Sequence, residues 1–314
     1  MKVAAVQMAA RLADVDYNLE RASVLLEQAF AQDCEIIILP EFFPSAVAFH
    51  PDMRNVAQPF EGPALRLMVD AARRNGAYVG GSFICTKNGE NFNTFVLVNP
   101  DGSYATHDKD QPTMWENCWY LGGSDDGVLE TPLGNVGAAV CWELSRTRTV
   151  NRMQGRIGLL VGGSCWWSVP DRAIPIPGKG SAGRRNLDIM IDTPARMARL
   201  LGVPVVHAAH AGDFRSRMPL LPGFPYRSFF LGEAQVIDAS GTVLARLKKE
   251  EGEGLAVAEI AVGRPQKPKE ETPEGFWIPK LPMLIRMVWL YQNIHGRFYY
   301  KAHRKRIIFR DTTS

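Results

Sequence analysis

The stretch GNVGAAVCWELSRT, Gly134 to Thr147, decides how this chain is read. Its glycines, alanines and valines let a strand pack closely, and the apolar run ends on Cys141, with Trp142 and Glu143 behind it. A cysteine in that place is either a small buried hydrophobe or a thiol held out as a nucleophile. The pattern predicts a strand over VGAAVCWE, and the flanking segments place it. Upstream, KVAAVQM (2–8) reads as a buried strand, and DVDYNLERASVLLEQAFAQDC (14–34) as a helix with an Asp/Asn-rich start. EIIILPEFF reads as a β-branched strand stopped by Pro40. GPALRLMVDAARRNG (62–76) is a second helix, with Pro63 in its first turn and Gly76 past its end. AYVGGSF and NTFVLVNPDGSYATHDK follow as strands, with Asp101-Gly102 as a hairpin turn.

Downstream the order repeats. TRTVNRMQGRI (147–157) is a short helix, GLLVGGSCWW a strand, PARMARLLG (194–202) a helix, VPVVHAAHAG a strand, and AQVIDASGTVLAR a hairpin around Ser240-Gly241. Both halves read strand, helix, strand, helix, strand, hairpin. This predicts an α/β fold with an internal pseudo-repeat, which a pairing of two sheets with helices outside would fit but element order alone does not establish. The Pro-, Gly- and base-rich segment 170–187 interrupts the pattern and reads as a long functional loop.

Bulk properties narrow the class. In 314 residues, 46% hydrophobic and 22% charged content is that of a globular protein able to build a large core. A net charge of +3 gives no reason to expect a nucleic-acid partner. No apolar run reaches the roughly 20 residues of a membrane span. Cys34, Cys85, Cys118, Cys141 and Cys165 are unevenly spaced, with no CxxC. Without a signal-type leader at the start, they indicate a reduced, cytoplasmic chain rather than a disulfide framework or zinc site.

Glu41, Lys109 and Cys141 share one feature: each stands where a predicted strand gives way to a loop, the edge at which α/β sheets build sites. A thiol needs a base, a buried carboxylate such as Glu41 becomes a better one, and a lysine steadies developing negative charge. A Cys/His/Asn site is the rival arrangement. It would draw on His50, His107, His207, His210, His295 or His303. His207 and His210 lie on a predicted strand and point to opposite sides, which argues against metal ligation. No metal or organic cofactor is expected. The tryptophans Trp115, Trp119, Trp166 and Trp167 read equally as pocket wall and as core.

In this order, LPEFF, KDQPTMWE and GAAVCWE resemble the three catalytic motifs of the nitrilase superfamily of carbon–nitrogen hydrolases, and the resemblance covers most of 2–262. It implies a four-layer αββα sandwich of two mixed sheets that dimerises or forms a higher homo-oligomer. Cys141 would be the nucleophile, Glu41 the general base, Lys109 the oxyanion-stabilising cation, and Glu116 a supporting glutamate. The Trp142 N–H would complete the oxyanion site, and Trp166, Trp115 and Glu143 would line the substrate. The substrate would be a small nitrile or amide. Lys109, Pro112, Thr113 and Glu116, with Cys141-Trp142-Glu143, look like the nitrilase branch. Leu144, Ala209 and Ala234 depart from it, so nitrile, amide and acyl transfer stay open, as does a non-catalytic interaction protein on the same fold.

The chain divides at 262. From Gly263 onward 11 Lys/Arg face 4 Asp/Glu, a net +7, which leaves 1–262 at −4. RPQKPKEETPEG (264–275) reads as a linker. Beyond it Leu284, Met287, Tyr291, Ile294 and Phe298 recur at helical spacing, widened by Trp289 and Leu290. The resemblance, together with Gly296 and the lack of a clean polar face, favours packing of this basic extension on the core or a partner subunit. Peripheral contact with an anionic membrane is the alternative.

Overall fold

The computed structural model describes residues 1–168, 179–217, 225–281 and 283–309. Its first half holds strands β1 (Lys2–Met8), β2 (Ile36–Ile38), β3 (Gln58–Pro59), β4 (Tyr78–Lys87), β5 (Glu90–Val98) and β6 (Tyr104–Asp108). Its second half holds β7 (Val128–Thr131), β8 (Gly134–Ala138), β9 (Leu159–Ser164), β10 (Val205–Arg217), β11 (Pro225–Ile237) and β12 (Val243–Lys248). The last strand, β13 (Gly254–Glu259), returns to pair antiparallel with β1. The strand orders are β6-β5-β4-β2-β1 and β7-β8-β9-β10-β11-β12, with the short β3 beside β4. The two halves meet where Gln7 and Met8 pair in parallel with Ala209 and His210.

Alternation along the strands builds the layers, because successive side chains point to opposite faces. Val3, Ala5, Ile36 and Ile38 face Leu159, Val161, Val206 and Ala208 in one core between the sheets. Ala4, Val6, Ile37 and Leu39 point the other way, onto helices α1 (Val15–Phe30) and α2 (Pro63–Asn75). Leu160, Val205 and Ile237 turn outward onto α3 (Thr147–Met153) and α4 (Lys179–Leu201). This is the helix–sheet–sheet–helix order of the expected mixed α/β sandwich.

Several boundaries differ from expectation. The strand before Cys141 stops at Ala138, and Cys141–Ser145 form a 3₁₀ turn, because the Glu143 carboxylate reaches back to the Val140 N–H at 2.8 Å. Residues 170–178 of the expected loop lie outside the described residues. Residues 179–187 instead begin α4, which runs through Pro194, and burial of Met190 beside Leu187 and Ile189 explains why helix prevails there. Segment 264–275 is docked rather than free: Glu270 pairs with Arg196 at 3.1 Å and with Arg199, and Gln266 N–H binds the Gly202 carbonyl.

The C-terminal helix α5 (Met283–Ile307) packs on the turn Met114–Cys118. It does so through a polar and small face rather than the apolar stripe. Asn293 Oδ1 accepts from Met114 N–H at 3.0 Å and Asn117 Nδ2 at 2.9 Å. Tyr300 OH accepts from Asn91 N–H and donates to Glu90, both at 2.9 Å. At Gly296 a Cβ would stand 2.5 Å from the Asn117 Cβ, so only glycine allows this crossing. Among the described residues no helix is long and apolar enough to cross a membrane.

Candidate active site

Three segments converge. Glu41 follows β2 and Pro40, Lys109 follows β6 directly, and Cys141 opens the turn after β8. Each segment carries a non-glycine residue in the left-handed region close to its site residue: Phe42 (φ 52°), Met114 (φ 55°) and Cys141 itself (φ 55°). Such backbone costs about 1–3 kcal/mol per residue and gathers where a side chain must be aimed. Gly163 of β9 lets the sheet approach Glu41, since a Cβ there would stand 2.8 Å from Glu41 N and Pro40 Cα.

The four side chains form one buried cluster. Lys109 Nζ bridges Glu41 Oε1 at 2.8 Å and Glu116 Oε2 at 2.7 Å. Ligand-type atoms of Glu41, Glu116 and Cys141 lie within 4.8 Å of one another. Those three donors are close enough to hold an ion, but the Lys109 ammonium already occupies the cationic position between the carboxylates. Burial is the main force on Glu41. Lys109 offsets it, the Glu116 carboxylate adds to it, and the pKa rises to about 7. Burial opposes the charge on Lys109, but Glu116 and Glu41 hold its pKa well above the usual lysine value. Burial, then Glu41, pushes the Cys141 thiol well up, so the resting thiol keeps its proton.

Further groups fix the cluster. Asn93 Nδ2 donates to Glu41 Oε1 at 3.0 Å, and Cys165 N–H donates to Oε2 at 2.9 Å. His210 Nε2 meets the Glu41 carbonyl at 2.7 Å. Glu116 reaches back to Thr113 N–H at 2.9 Å, the glutamate half of a capping box that the TxxE spacing encodes. Tyr120 OH donates to the same oxygen. Asn93 and Tyr120 escaped the sequence reading, and His210 entered it only as a histidine of the rival arrangement, not as a support of Glu41. Their one signal is polarity inside apolar strands and turns, as at Asn91 and Asn93 in β5.

Glu143 differs from its expected role beside substrate. It is fully buried, and its oxygens accept from His107 Nε2 at 3.0 and 3.2 Å, Asp110 N–H at 3.0 Å and Val140 N–H at 2.8 Å. Burial alone would raise its pKa, but His107, the Asp110 N–H and Arg146 hold it well below the usual carboxylate range. Burial likewise works against a charged His107, yet Glu143 and Asp125 lift its pKa to about 10. Glu143 thus ties the residue before Cys141 to the residue after Lys109. Its carboxylate is committed to protein partners, not to a ligand.

The tryptophans divide. Trp142 packs on Trp166 with ring centroids 5.5 Å apart and meets Trp277 edge-on at 5.3 Å. Trp115 stacks on Trp167 at 4.1 Å. Trp119 packs with Phe49 and Tyr299 in the same cluster as Trp115 and Trp167, apart from the cluster of Trp142 and Trp166. Backbone bonds from Thr147 N–H to Phe276 and from Ile278 N–H to Ser145 hold the segment carrying Trp277 beside the cysteine turn.

The profile of the family described as Carbon-nitrogen hydrolase matches residues 2–267. An aliphatic nitrilase from Sinorhizobium fredii is 29% identical over 162 residues, covering 45% of this chain and 53% of the relative. An omega-amidase from Danio rerio is 29% identical over 140 residues, covering 40% and 50%. The chain spans about half the length of the curated relatives it matches. Among solved structures, a carbon–nitrogen hydrolase from Helicobacter pylori superposes with a TM-score of 0.70 at 19% identity, covering 83% of this chain and 88% of that one. An amidase from Nesterenkonia sp. AN1, with acrylamide added at its active-site cysteine, gives 0.64 at 19%, covering 83% and 93%. At these identities the superpositions show the fold.

Proposed function

The chain belongs to the carbon–nitrogen hydrolase family, and from that premise we propose that it hydrolyses a small nitrile or amide to a carboxylic acid through a covalent cysteine intermediate. The observation that carries this reading is the buried meeting of Glu41, Lys109, Glu116 and Cys141. The equal identity to a nitrilase and an amidase supports both substrate classes. Domain 1–262 is read as the part that holds the chemistry, with 263–314 as its extension.

Glu41, with a pKa about 7, accepts the thiol proton as Cys141 Sγ bonds to the amide carbonyl or nitrile carbon. An amide forms a tetrahedral oxyanion. Lys109 and the Trp142 N–H stabilise it, the latter because the first N–H groups of a helical turn have no partner within the turn. Its collapse breaks the C–N bond, the proton from Glu41 goes to the leaving nitrogen, and ammonia departs from a thioester. A nitrile forms a thioimidate, with that proton on its nitrogen, and one water then converts it to the same thioester with release of ammonia. A final water, deprotonated by Glu41, displaces the cysteine as a thiol and yields the acid. Glu116 Oε1, buried and without a hydrogen bond among the described residues, is suited to accept an N–H of the substrate. Trp166 and Trp115 are the proposed aromatic walls.

Ammonia release from a panel of nitriles and amides tests the reading. Cys141→Ala is expected to lose at least about 10⁴-fold of the rate while keeping its fold. Full activity in that variant would overturn it.

A further inference from the structure

The helix α5 presents an apolar face to solvent. Met283, Met287, Leu290, Tyr291, Ile294 and Phe298 are between 49% and 75% exposed. The spacing puts them on one side of the helix, opposite Gln292, Asn293, Gly296, Tyr300 and Ile307, which are buried. The inner face is therefore already engaged, by the bonds from Asn293 and Tyr300, and the apolar stripe has no place left in the core.

Charge identifies the occupant. From Met283 to Ile307 the helix carries six Lys/Arg and no Asp/Glu. Arg304 is paired with Glu90 at 2.9 Å, while Arg286, Arg297, Lys301, Lys305 and Arg306 are exposed. A two-fold contact of this face with itself would bring arginine and lysine together with no acid on the helix to pair them. An apolar stripe edged by cations, with Tyr291 and Phe298 on it, matches instead a surface with an apolar interior and negative headgroups. The helix is not apolar enough to span. We propose that the outward face of α5 docks in the plane of an anionic lipid bilayer.

A groove of about 870 Å³ supports this orientation. Met283, Met287, Trp289 and Leu290 of α5 line it together with Phe276 and Trp277. Glu274 is the one acid among its lining residues. The Trp277 ring contacts Trp142, the neighbour of Cys141. Docking would turn the groove mouth towards the bilayer.

Cosedimentation of the full chain with vesicles tests the proposal, using phosphatidylcholine alone and phosphatidylcholine mixed with phosphatidylglycerol. The chain is expected to bind the mixed vesicles at least about tenfold better, and to lose that preference at high salt. Arg297→Glu/Lys301→Glu/Lys305→Glu is expected to fall to the level of the neutral vesicles. Met287→Ser/Leu290→Ser/Phe298→Ser is expected to bind at least about tenfold more weakly. Thermal unfolding checks that both variants fold. An unmodified chain that stays in the supernatant with both vesicle types overturns the proposal. So does vesicle binding that ignores both variants. Sedimentation velocity then reads the rival: a dimer that the serine variant dissociates, without vesicle binding by the parent, makes this face an interface between copies.

Discussion

The turns Met114–Cys118 and Cys141–Ser145 begin alike. Each opens on a residue with φ 55°, and in each a glutamate at the third position reaches back to the N–H before the turn, Glu116 to Thr113 and Glu143 to Val140. Both glutamates are fully buried. They differ in what they meet. Glu143 faces an imidazolium with Arg152 at 3.7 Å, and the cluster has enough cations to hold it ionised. Glu116 shares the single ammonium of Lys109 with Glu41, so one cation serves two carboxylates and Glu41 is left with a pKa about 7. The same backbone device yields a brace where charges are matched and the proposed reactive site where they are not.

The largest test of that contrast removes one carboxylate from each side. Glu41→Gln is expected to lower kcat/KM by about 10³-fold without lowering the unfolding temperature, because an unmatched buried charge is removed. A drop of several degrees would break the contrast. Glu143→Ala strands His107 and two N–H groups and is expected to cost about 3–5 kcal/mol in denaturant unfolding. A cost below about 1 kcal/mol would show that the brace carries no load. A smaller effect is read in pH. The base works ionised, so kcat/KM is expected to rise about tenfold per unit below pH 7 and level off above it. A flat profile from acid to neutral would contradict the raised pKa.

Much of this was legible in the sequence, for local reasons. LPEFF, KDQPTMWE and GAAVCWE are short, contiguous and placed at strand ends, so Glu41, Lys109, Glu116 and Cys141 could be read without contacts. The repeated order of strands and helices likewise gave the α/β class, the resemblance supplied the layering, and Asp14, Gly62 and Gly76 bound their helices as expected. What failed depends on side chains meeting backbone or distant elements. Hydropathy carries VGAAVCWE on as a strand, because it does not encode a carboxylate capping an N–H three residues back. The resemblance made Glu143 a ligand contact, and no local pattern shows that His107 comes to it from another strand. Periodicity found the stripe on α5 but not its direction, which Asn293, Gly296 and Tyr300 set by docking the opposite side.

The central claim is that the unmatched cluster makes one buried thiol of five the nucleophile. Intact-protein and peptide mass spectrometry after exposure to a mixed nitrile and amide library measures this directly. The expected result is a single acyl adduct on Cys141, absent in Cys141→Ala, with Cys34, Cys85, Cys118 and Cys165 unmodified. An acyl group on another residue, or steady turnover by Cys141→Ala, would contradict the account.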